Sequence, residues 1–336
     1  MNHSETSINR WPVFGHTAIV SYLQQAVKKR QTVQAYLLHG PTQLGKATIA
    51  RLFARSLLCT NENTQPCEEC AGCQNTLNCT HPDFVELEKD PDQQNIGIEH
   101  IRDRVIKRLQ LSSFLNTYKV AVINDAQYLS PEAANALLKT LEEPRQNVVI
   151  ILIANGLSGL PSTVVSRCQT FEFFPLSTAS IEKYIQKLHP KIKRNDLRTI
   201  AGLSRGRPGR AYELINKPSE LERTIDTYKK YREVLTAPIW QRIKLLNEQV
   251  SGTSFQETKD QAEHLIQGLA VILRDEILRH YDLPGLATYF PENSQTIKYI
   301  NAPISTDLMR LLMSLRRSLS QNASPRIILE NFCLEY

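Results

Sequence analysis

The sequence has no long hydrophobic run of the kind that crosses a bilayer. Its longest apolar stretch, from Val148 to Ala154, is far too short to span a membrane and is typical of a buried β-strand. The first residues, from Met1 to Thr6, are polar and lack the apolar core of a secretory signal peptide. We therefore expect a cytoplasmic protein with no membrane partner.

The sequence also lacks internal repeats, low-complexity segments and a strong excess of one charge. Lysine and arginine number 40 against 34 acidic residues, which gives a net charge of +6. This mild excess is compatible with nucleic acid nearby but is too small to predict a polycationic binder. With 336 residues, of which 41% are hydrophobic, the chain is long enough for two or three globular domains.

A nearly complete phosphate-binding loop, G-P-T-Q-L-G-K-A-T, begins at Gly40. Gly40, Gly45 and Lys46 match the P-loop pattern, in which backbone N–H groups and the lysine hold phosphates. Ala47 stands where the pattern requires a hydroxyl for Mg²⁺, and Thr48 follows one residue later, about 100° further round a helix. The loop predicts weak binding of ATP or ADP and poor hydrolysis; the alternative is that Lys46 is a solvated loop lysine.

Apolar strands alternate with helical patterns over roughly the first half of the chain, which predicts an α/β fold with a doubly wound parallel sheet. The predicted strands are residues 35–39, 84–88, 119–125, 148–154 and 169–174. Ile98 to Leu111 is predicted to be one amphipathic helix whose basic face either touches phosphates or is simply solvated. From Ser177 to Tyr336 the pattern is helical throughout, and Trp11 and Trp240 are expected to pack in the core.

Four cysteines are concentrated in one short segment, at Cys59, Cys67, Cys70 and Cys73. Because cytoplasmic thiols stay reduced, such a cluster indicates a metal site instead of disulfides. Four thiolates make a closed tetrahedral Zn²⁺ site with no open coordination position, so we expect a structural role. Cys79 and His81 are the alternatives for the fourth ligand.

Several motifs occur together between about Trp11 and Ala211. They are the degenerate P-loop, the cysteine insert, T-H-P-D at residues 80–83, A-L-L-K-T-L-E-E-P at 136–144 and S-R-C at 166–168. In this order they resemble the clamp-loader family of AAA+ proteins. The resemblance implies an AAA+ domain at residues 1–176 with a zinc module at 59–79. A helical lid at 177–216 and an all-α collar at 217–336 would follow.

The resemblance also implies partners. Clamp-loader collars join five subunits, motor subunits and delta among them, in a ring that uses ATP to open a sliding clamp and place it on primed DNA. The chain itself is expected to lack a polymerase site, so a DNA polymerase III label would belong to the assembly.

By the same resemblance, Arg167 is a finger that reaches the γ-phosphate of a neighbouring subunit; the alternative is a salt bridge within the domain. Asn155 stands at the position called sensor 1, or else it satisfies backbone groups. Arg210 resembles the lid arginine called sensor 2, with Arg207 as the competitor. The resemblance also aligns Asn124-Asp125 with the Asp-Glu pair of motor subunits, so the metal-orienting carboxylate is an amide here.

A shift of that alignment by one residue would make Asp125 the metal residue and Ala126 the missing base. Either alignment predicts a non-motor clamp-loader subunit with little or no ATP hydrolysis. The first alternative is an active AAA+ ATPase in which Thr48 replaces the missing ligand. The second alternative is a zinc-dependent DNA reader, although the cysteine loop lacks the basic and aromatic side chains of such modules.

Overall fold

The computed structural model describes residues 11–61, 63–113, 118–143, 145–283, 302–321 and 323–335. Its contacts divide the chain into two compact units. The first contains Met1–Leu176 with Arg207–Gly209, and the second contains Ser177–Gly206 with Arg210–Tyr336. The second unit includes nearly all of the predicted lid together with the predicted collar, so the division of this part into two domains stays a prediction.

The first unit is built on a five-stranded parallel sheet with strand order β2-β3-β4-β1-β5. The strands are β1 Ala35–His39, β2 Phe84–Leu87, β3 Lys119–Ile123, β4 Val148–Ala154 and β5 Gln169–Glu172. The predicted parallel α/β fold is therefore confirmed. Since β1 lies between β4 and β5, the loop that follows it leaves the sheet from an inner strand.

Alternate residues of β1 enter hydrophobic clusters on opposite faces of the sheet. Ala35 and Leu37 belong to one cluster, and Tyr36 and Leu38 belong to the other. A strand that is buried on both faces needs apolar side chains at every position, which is why the predicted strands read as continuous apolar runs.

The helices of the first unit cover both faces of this sheet. They are α1 Thr17–Lys28, α2 Lys46–Leu57, α3 Ala71–Leu77, α4 Ile98–His100, α5 Lys107–Gln110, α6 Pro131–Glu142 and α7 Ser162–Val165. Between α4 and α5, Ile101–Ile106 form a π-helix, so the predicted single α-helix over residues 98–111 is wrong in its middle turn. Helix α6 begins as the sequence predicts, with the Ser130 hydroxyl accepting from the Ala133 N–H and Pro131 at the first position.

The described residues of the second unit form helices and no strand. The helices are α8 Thr178–Leu188, α9 Arg194–Leu203, α10 Pro208–Asn216, α11 Pro218–Thr236, α12 Ile239–Gln249, α13 Phe255–His280, α14 Ala302–Ser320 and α15 Pro325–Glu335, and the first two residues of α10 are grouped with the first unit. The expectation that Trp240 packs in the core is wrong, because this side chain at the start of α12 is 71% exposed, whereas Trp11 is buried.

Candidate functional site

The P-loop follows β1 directly and leads into α2, which is the strand–loop–helix context that phosphate binding requires. Gly40 has a φ of 131°, and a Cβ there would collide with the carbonyl oxygen of Phe173. Gly45 caps the N-terminus of α2 with a φ of 90°. Both backbone angles lie in the region that favours glycine, so the two motif glycines are required by the loop's conformation.

Lys46 is buried, and its ammonium group donates hydrogen bonds to the carbonyl oxygens of Gly40 and Pro41. Burial lowers the pKa of Lys46 to about 8, and the nearby charge of Asp125 partly opposes this. The ammonium group therefore lies within the loop that would hold a phosphate and is not solvated. Within the described loop, residues 40–48, Lys46 is the one side chain that carries a positive charge and could bind a phosphate.

The two residues after Lys46 differ in their surroundings. Ala47 packs against the hydrophobic cluster on its side of the sheet, whereas Thr48 is exposed. Neither Ala47 nor Thr48 places a hydroxyl at the position where the P-loop pattern needs one for Mg²⁺.

Asn124 comes immediately after β3, at the position that the first of the two alignments pairs with a metal-orienting carboxylate. Its side-chain amide donates to a Glu86 carboxylate oxygen at 2.7 Å. The same carboxylate receives hydrogen bonds from Arg51 Nε at 2.9 and 3.0 Å. The Asn124 side chain therefore hydrogen-bonds to the ion pair between Arg51 and Glu86, which joins α2 to β2. An amide can donate to Glu86, whereas a carboxylate at this position would be repelled by it.

Gln127 is a site residue that the sequence analysis missed. Its amide nitrogen donates to Asp125 at 3.2 Å, and its amide oxygen accepts the backbone N–H of Asn155 at 3.1 Å. Gln127 thereby links the end of β3 to the end of β4. No motif marks this glutamine, so only the adjacency of β3 and β4 in the sheet could have suggested it.

Arg167 follows the short helix α7 and is partly exposed. Its Nη2 lies 2.6 Å from a carboxylate oxygen of Glu142, and its Nη1 donates to the Thr163 carbonyl oxygen at 3.0 Å. The salt bridge within the domain, which was the alternative to a finger, is therefore present in this chain. An exposed ion pair of this kind is weak enough to coexist with a second role.

Arg210 lies in the second unit, where its guanidinium contacts acidic side chains. It donates to Glu213 at 2.8 Å, to Glu220 at 2.9 Å and to the Thr224 hydroxyl at 2.9 Å. Arg207 is grouped with the P-loop unit, as is Gly209, whose backbone N–H donates to the Gln43 carbonyl oxygen at 3.0 Å. The role of Arg210 toward nucleotide stays a prediction.

The sulfur atoms of Cys59, Cys67, Cys70 and Cys73 all lie within 4.8 Å of one another. The Cys70 N–H donates to the Cys67 sulfur and the Cys73 N–H donates to the Cys70 sulfur, each at 3.3 Å. Burial alone would raise the pKa of the Cys70 thiol, but hydrogen bonds to its sulfur from Thr60, from the Cys73 N–H and from Cys67 lower it to about 6. Burial raises the pKa values of Cys59 and Cys73, so the fit to a metal ion rests on the geometry, in which four sulfurs are close enough to bind one ion.

The two alternative ligands lie elsewhere. Cys79 is exposed, with its sulfur 4.0 Å from a carboxylate oxygen of Glu86. His81 is buried and its Nδ1 accepts the backbone N–H of Asp83 at 3.0 Å. The carboxylate of Asp83 in turn forms a buried ion pair with Lys119 at 2.9 Å, which gives the T-H-P-D segment a structural explanation.

Among the described helices, none combines the length and the apolar character needed to cross a bilayer.

A family model described as DNA polymerase III, delta subunit, matches residues 15–177. Over 188 residues the chain is 36% identical to DNA polymerase III subunit delta' of Pseudomonas aeruginosa, which covers 55% of this chain and 57% of that protein. Over 210 residues it is 32% identical to DNA polymerase III subunit tau of Bacillus subtilis, which covers 61% of this chain and 37% of that protein.

One solved structure, a DNA polymerase III gamma subunit-related protein from Thermotoga maritima, covers 94% of this chain and 97% of its own. It is 22% identical, with a TM-score of 0.47. The chain spans 57% and 37% of the lengths of the two relatives named above. Residues 15–177, slightly less than half of the chain, thus match this family model, and the chain resembles DNA polymerase III subunits, delta' among them.

Proposed function

We propose that this chain is a non-motor subunit of a bacterial DNA polymerase III clamp loader. It acts in the cytoplasm within a ring of five subunits that places a sliding clamp on primed DNA. Its partners are the motor subunits and delta, and its helical unit divides into a lid at residues 177–216 and a collar at 217–336 that joins the ring. This chain contributes neither a polymerase site nor hydrolysis of its own.

The observation that carries the proposal is the loss of both metal-binding side chains beside an otherwise well-formed P-loop. Ala47 offers no oxygen, and Asn124 donates its amide to Glu86. Phosphoryl transfer depends on Mg²⁺ to neutralise the charge that develops on the transferred group. A site that keeps Lys46 but lacks both metal contacts supports weak binding of ATP or ADP without turnover.

Arg167 gives such a subunit a part in catalysis elsewhere in the ring. Its guanidinium is partly exposed at the end of a short helix, and a neighbour's γ-phosphate is the ligand that the family resemblance assigns to it. A fixed guanidinium at that phosphate stabilises charge in the transition state and is worth several powers of ten in rate. Asn155 and Arg210 are retained as weaker candidates for nucleotide contacts.

We also assign Zn²⁺ to the cluster of Cys59, Cys67, Cys70 and Cys73. Four sulfurs within 4.8 Å of one another satisfy tetrahedral coordination and leave no position for a substrate. The metal is therefore structural and holds the segment between α2 and β2 in place.

The test is the clamp- and primer-stimulated ATPase activity of the reconstituted loader, in which this chain is compared with its Arg167→Ala variant at equal assembly. We expect a fall of about a hundredfold or more with the ring intact, because the variant removes a transition-state contact. Unchanged activity would make Arg167 structural and would leave scaffolding as the only role of this subunit.

A second candidate is an active motor subunit, since one of the relatives is a tau subunit. In that case the isolated chain would hydrolyse ATP, with Thr48 or a shifted backbone in place of the missing ligand. Turnover by the isolated chain that disappears in Lys46→Ala would establish this function. Absence of ATP binding in a titration of the isolated chain would eliminate it.

A further inference from the structure

Arg167 is held by two groups of its own domain. Glu142 lies 2.6 Å from Nη2, and the Thr163 carbonyl oxygen accepts from Nη1 at 3.0 Å. The Ser166 hydroxyl lies 3.4 Å from the same Nη1. Because these contacts involve only the two Nη groups, Nε–H has no acceptor among the residues that the structure describes.

The two anchors come from different elements. Glu142 is the last residue of α6, and Thr163 lies within α7, which packs against α6. An arginine side chain loses considerable rotamer entropy when it is fixed in one orientation. Here α6 and α7 restrict the guanidinium before any phosphate arrives, while part of its donor edge stays available.

We propose that Glu142 is a positioning residue for Arg167: its carboxylate holds the guanidinium in the orientation that reaches a phosphate group in the adjoining subunit. This inference rests on the proposed function of Arg167, and it adds the residue that makes the arginine effective. Glu142 itself touches no phosphate, because a carboxylate beside a γ-phosphate would be repelled.

The chain offers a matched control at the next position. Glu143 is also an exposed glutamate, and it caps the end of α6, where its backbone N–H donates to the Lys139 carbonyl oxygen. Glu143→Gln removes the same charge from the same surface, but it leaves the ion pair between Glu142 and Arg167 intact. Any effect of net charge on ring assembly or DNA attraction is therefore shared by both variants.

The experiment measures the stimulated ATPase activity of the complete loader, reconstituted in turn with each of five variants of this chain. Four are the single variants Glu142→Gln, Glu142→Asp, Glu143→Gln and Arg167→Ala, and the fifth combines Glu142→Gln with Arg167→Ala. We expect Glu142→Gln to lower kcat about threefold with KM for ATP unchanged, the size of effect that an exposed ion pair supports. Glu143→Gln should match the unchanged chain, and Glu142→Asp should restore part of the lost rate. The double variant should match Arg167→Ala, because Glu142 acts only through the arginine.

The outcomes separate this inference from the function on which it rests. If Arg167→Ala abolishes stimulation while Glu142→Gln is fully active, the arginine is a finger and Glu142 does not position it. If Glu142→Gln increases the rate, the carboxylate restrains the arginine and the positioning role is wrong. If Arg167→Ala itself has no effect at equal assembly, the proposed finger fails and the role of Glu142 fails with it.

Discussion

Lys46 shows how one buried charge controls what the degenerate loop can bind. Its ammonium group lies among the carbonyl oxygens of Gly40 and Pro41, which solvate the charge only in part. A phosphate group would supply the counter-charge that these carbonyls lack. Binding through this residue consequently requires the protonated form.

The lowered pKa of Lys46 predicts that ATP or ADP binding weakens above neutral pH. Below a pKa of about 8 the side chain is charged and attracts phosphate, and above it the neutral amine does not. We expect the dissociation constant of ATP to rise by up to about tenfold between pH 7 and pH 9 in calorimetric titrations of the isolated chain. Lys46→Arg serves as the control, since a guanidinium stays charged over this range; an equal loss in that variant would show that another group is responsible.

The sequence predicted individual site residues where a motif fixes the backbone and missed those that tertiary neighbours select. Gly40, Gly45 and Lys46 were predicted because a P-loop needs those residue types at that spacing, and both glycines have the positive φ that such a loop requires. The engagement of Asn124 by Glu86 was not foreseen, because it depends on β2 and β3 lying side by side. Gln127 was missed for the same reason.

At the level of elements, the cysteine cluster is attached to the end of the P-loop helix. A Cβ at Gly72 in α3 would collide with the Leu58 carbonyl oxygen, so α3 packs directly against the end of α2. Arg55 of α2 also pairs with Glu68 of the cysteine segment at 3.2 Å. Order in this segment therefore depends on the cluster and on its contact with α2.

Removal of the metal should loosen residues 59–79 without preventing assembly through the collar. Cys70→Ser removes one of the four sulfurs, and we expect loss of about one equivalent of bound zinc together with faster hydrogen exchange in α3. Cys79→Ser, which removes an exposed thiol outside the cluster, should leave zinc content unchanged. Loss of partner binding in Cys70→Ser would contradict a purely local role for the metal.

Within the second unit, α11 presents three polar side chains at four-residue intervals to Arg205 and Arg210. Arg210 binds Glu220 and Thr224, and Arg205 hydrogen-bonds to the Tyr228 hydroxyl and lies over its ring. Side chains at this spacing share one helix face. Two arginines therefore attach the predicted lid to the first helix of the predicted collar.

This attachment predicts that Arg210→Ala lowers the free energy of unfolding of the chain by about 2 kcal/mol, because it removes the cation that Glu213, Glu220 and the Thr224 hydroxyl share. Urea denaturation in the absence of nucleotide measures this effect. Arg223→Ala, at an exposed position on α11, is the control and should change stability by less than about 0.5 kcal/mol. A variant of Arg210 that is as stable as the unchanged chain but binds ATP more weakly would favour the sensor role instead.

Elements with strong local sequence signals were predicted correctly, whereas departures from a regular helix and from expected burial were not. The Ser130-Pro131 start of α6 and the strand before the P-loop are encoded in adjacent residues. The π-helical turn at Ile101–Ile106 was not predicted, since apolar periodicity does not report which carbonyl each N–H selects. The exposure of Trp240 was missed because a sequence pattern shows that a residue is apolar but not whether another helix covers it.

At the scale of the whole molecule, the chain combines a five-stranded α/β unit with a P-loop in which alanine, not serine or threonine, follows the lysine. The sheet, its two hydrophobic faces and the P-loop conformation do not depend on catalysis, so they persist where hydrolysis is not required. The parts to which we assign contacts with other subunits, which are Arg167 and the helical unit, lie outside the P-loop. This distribution is what a subunit needs if it completes a neighbour's site while its own remains inactive.

Restoring one metal ligand should therefore not create an ATPase. Ala47→Ser supplies the missing hydroxyl, but Asn124 still donates its amide to Glu86 and offers no carboxylate to the metal. Adding Asn124→Asp replaces that donor with a second negative charge beside Glu86, which weakens the link to Arg51 and should lower stability by about 1–3 kcal/mol. We expect no turnover from the isolated chain or from Ala47→Ser in a steady-state phosphate-release assay. Turnover gained by Ala47→Ser alone would mean that Asp125 already orients the metal, and that this hydroxyl was the only part missing.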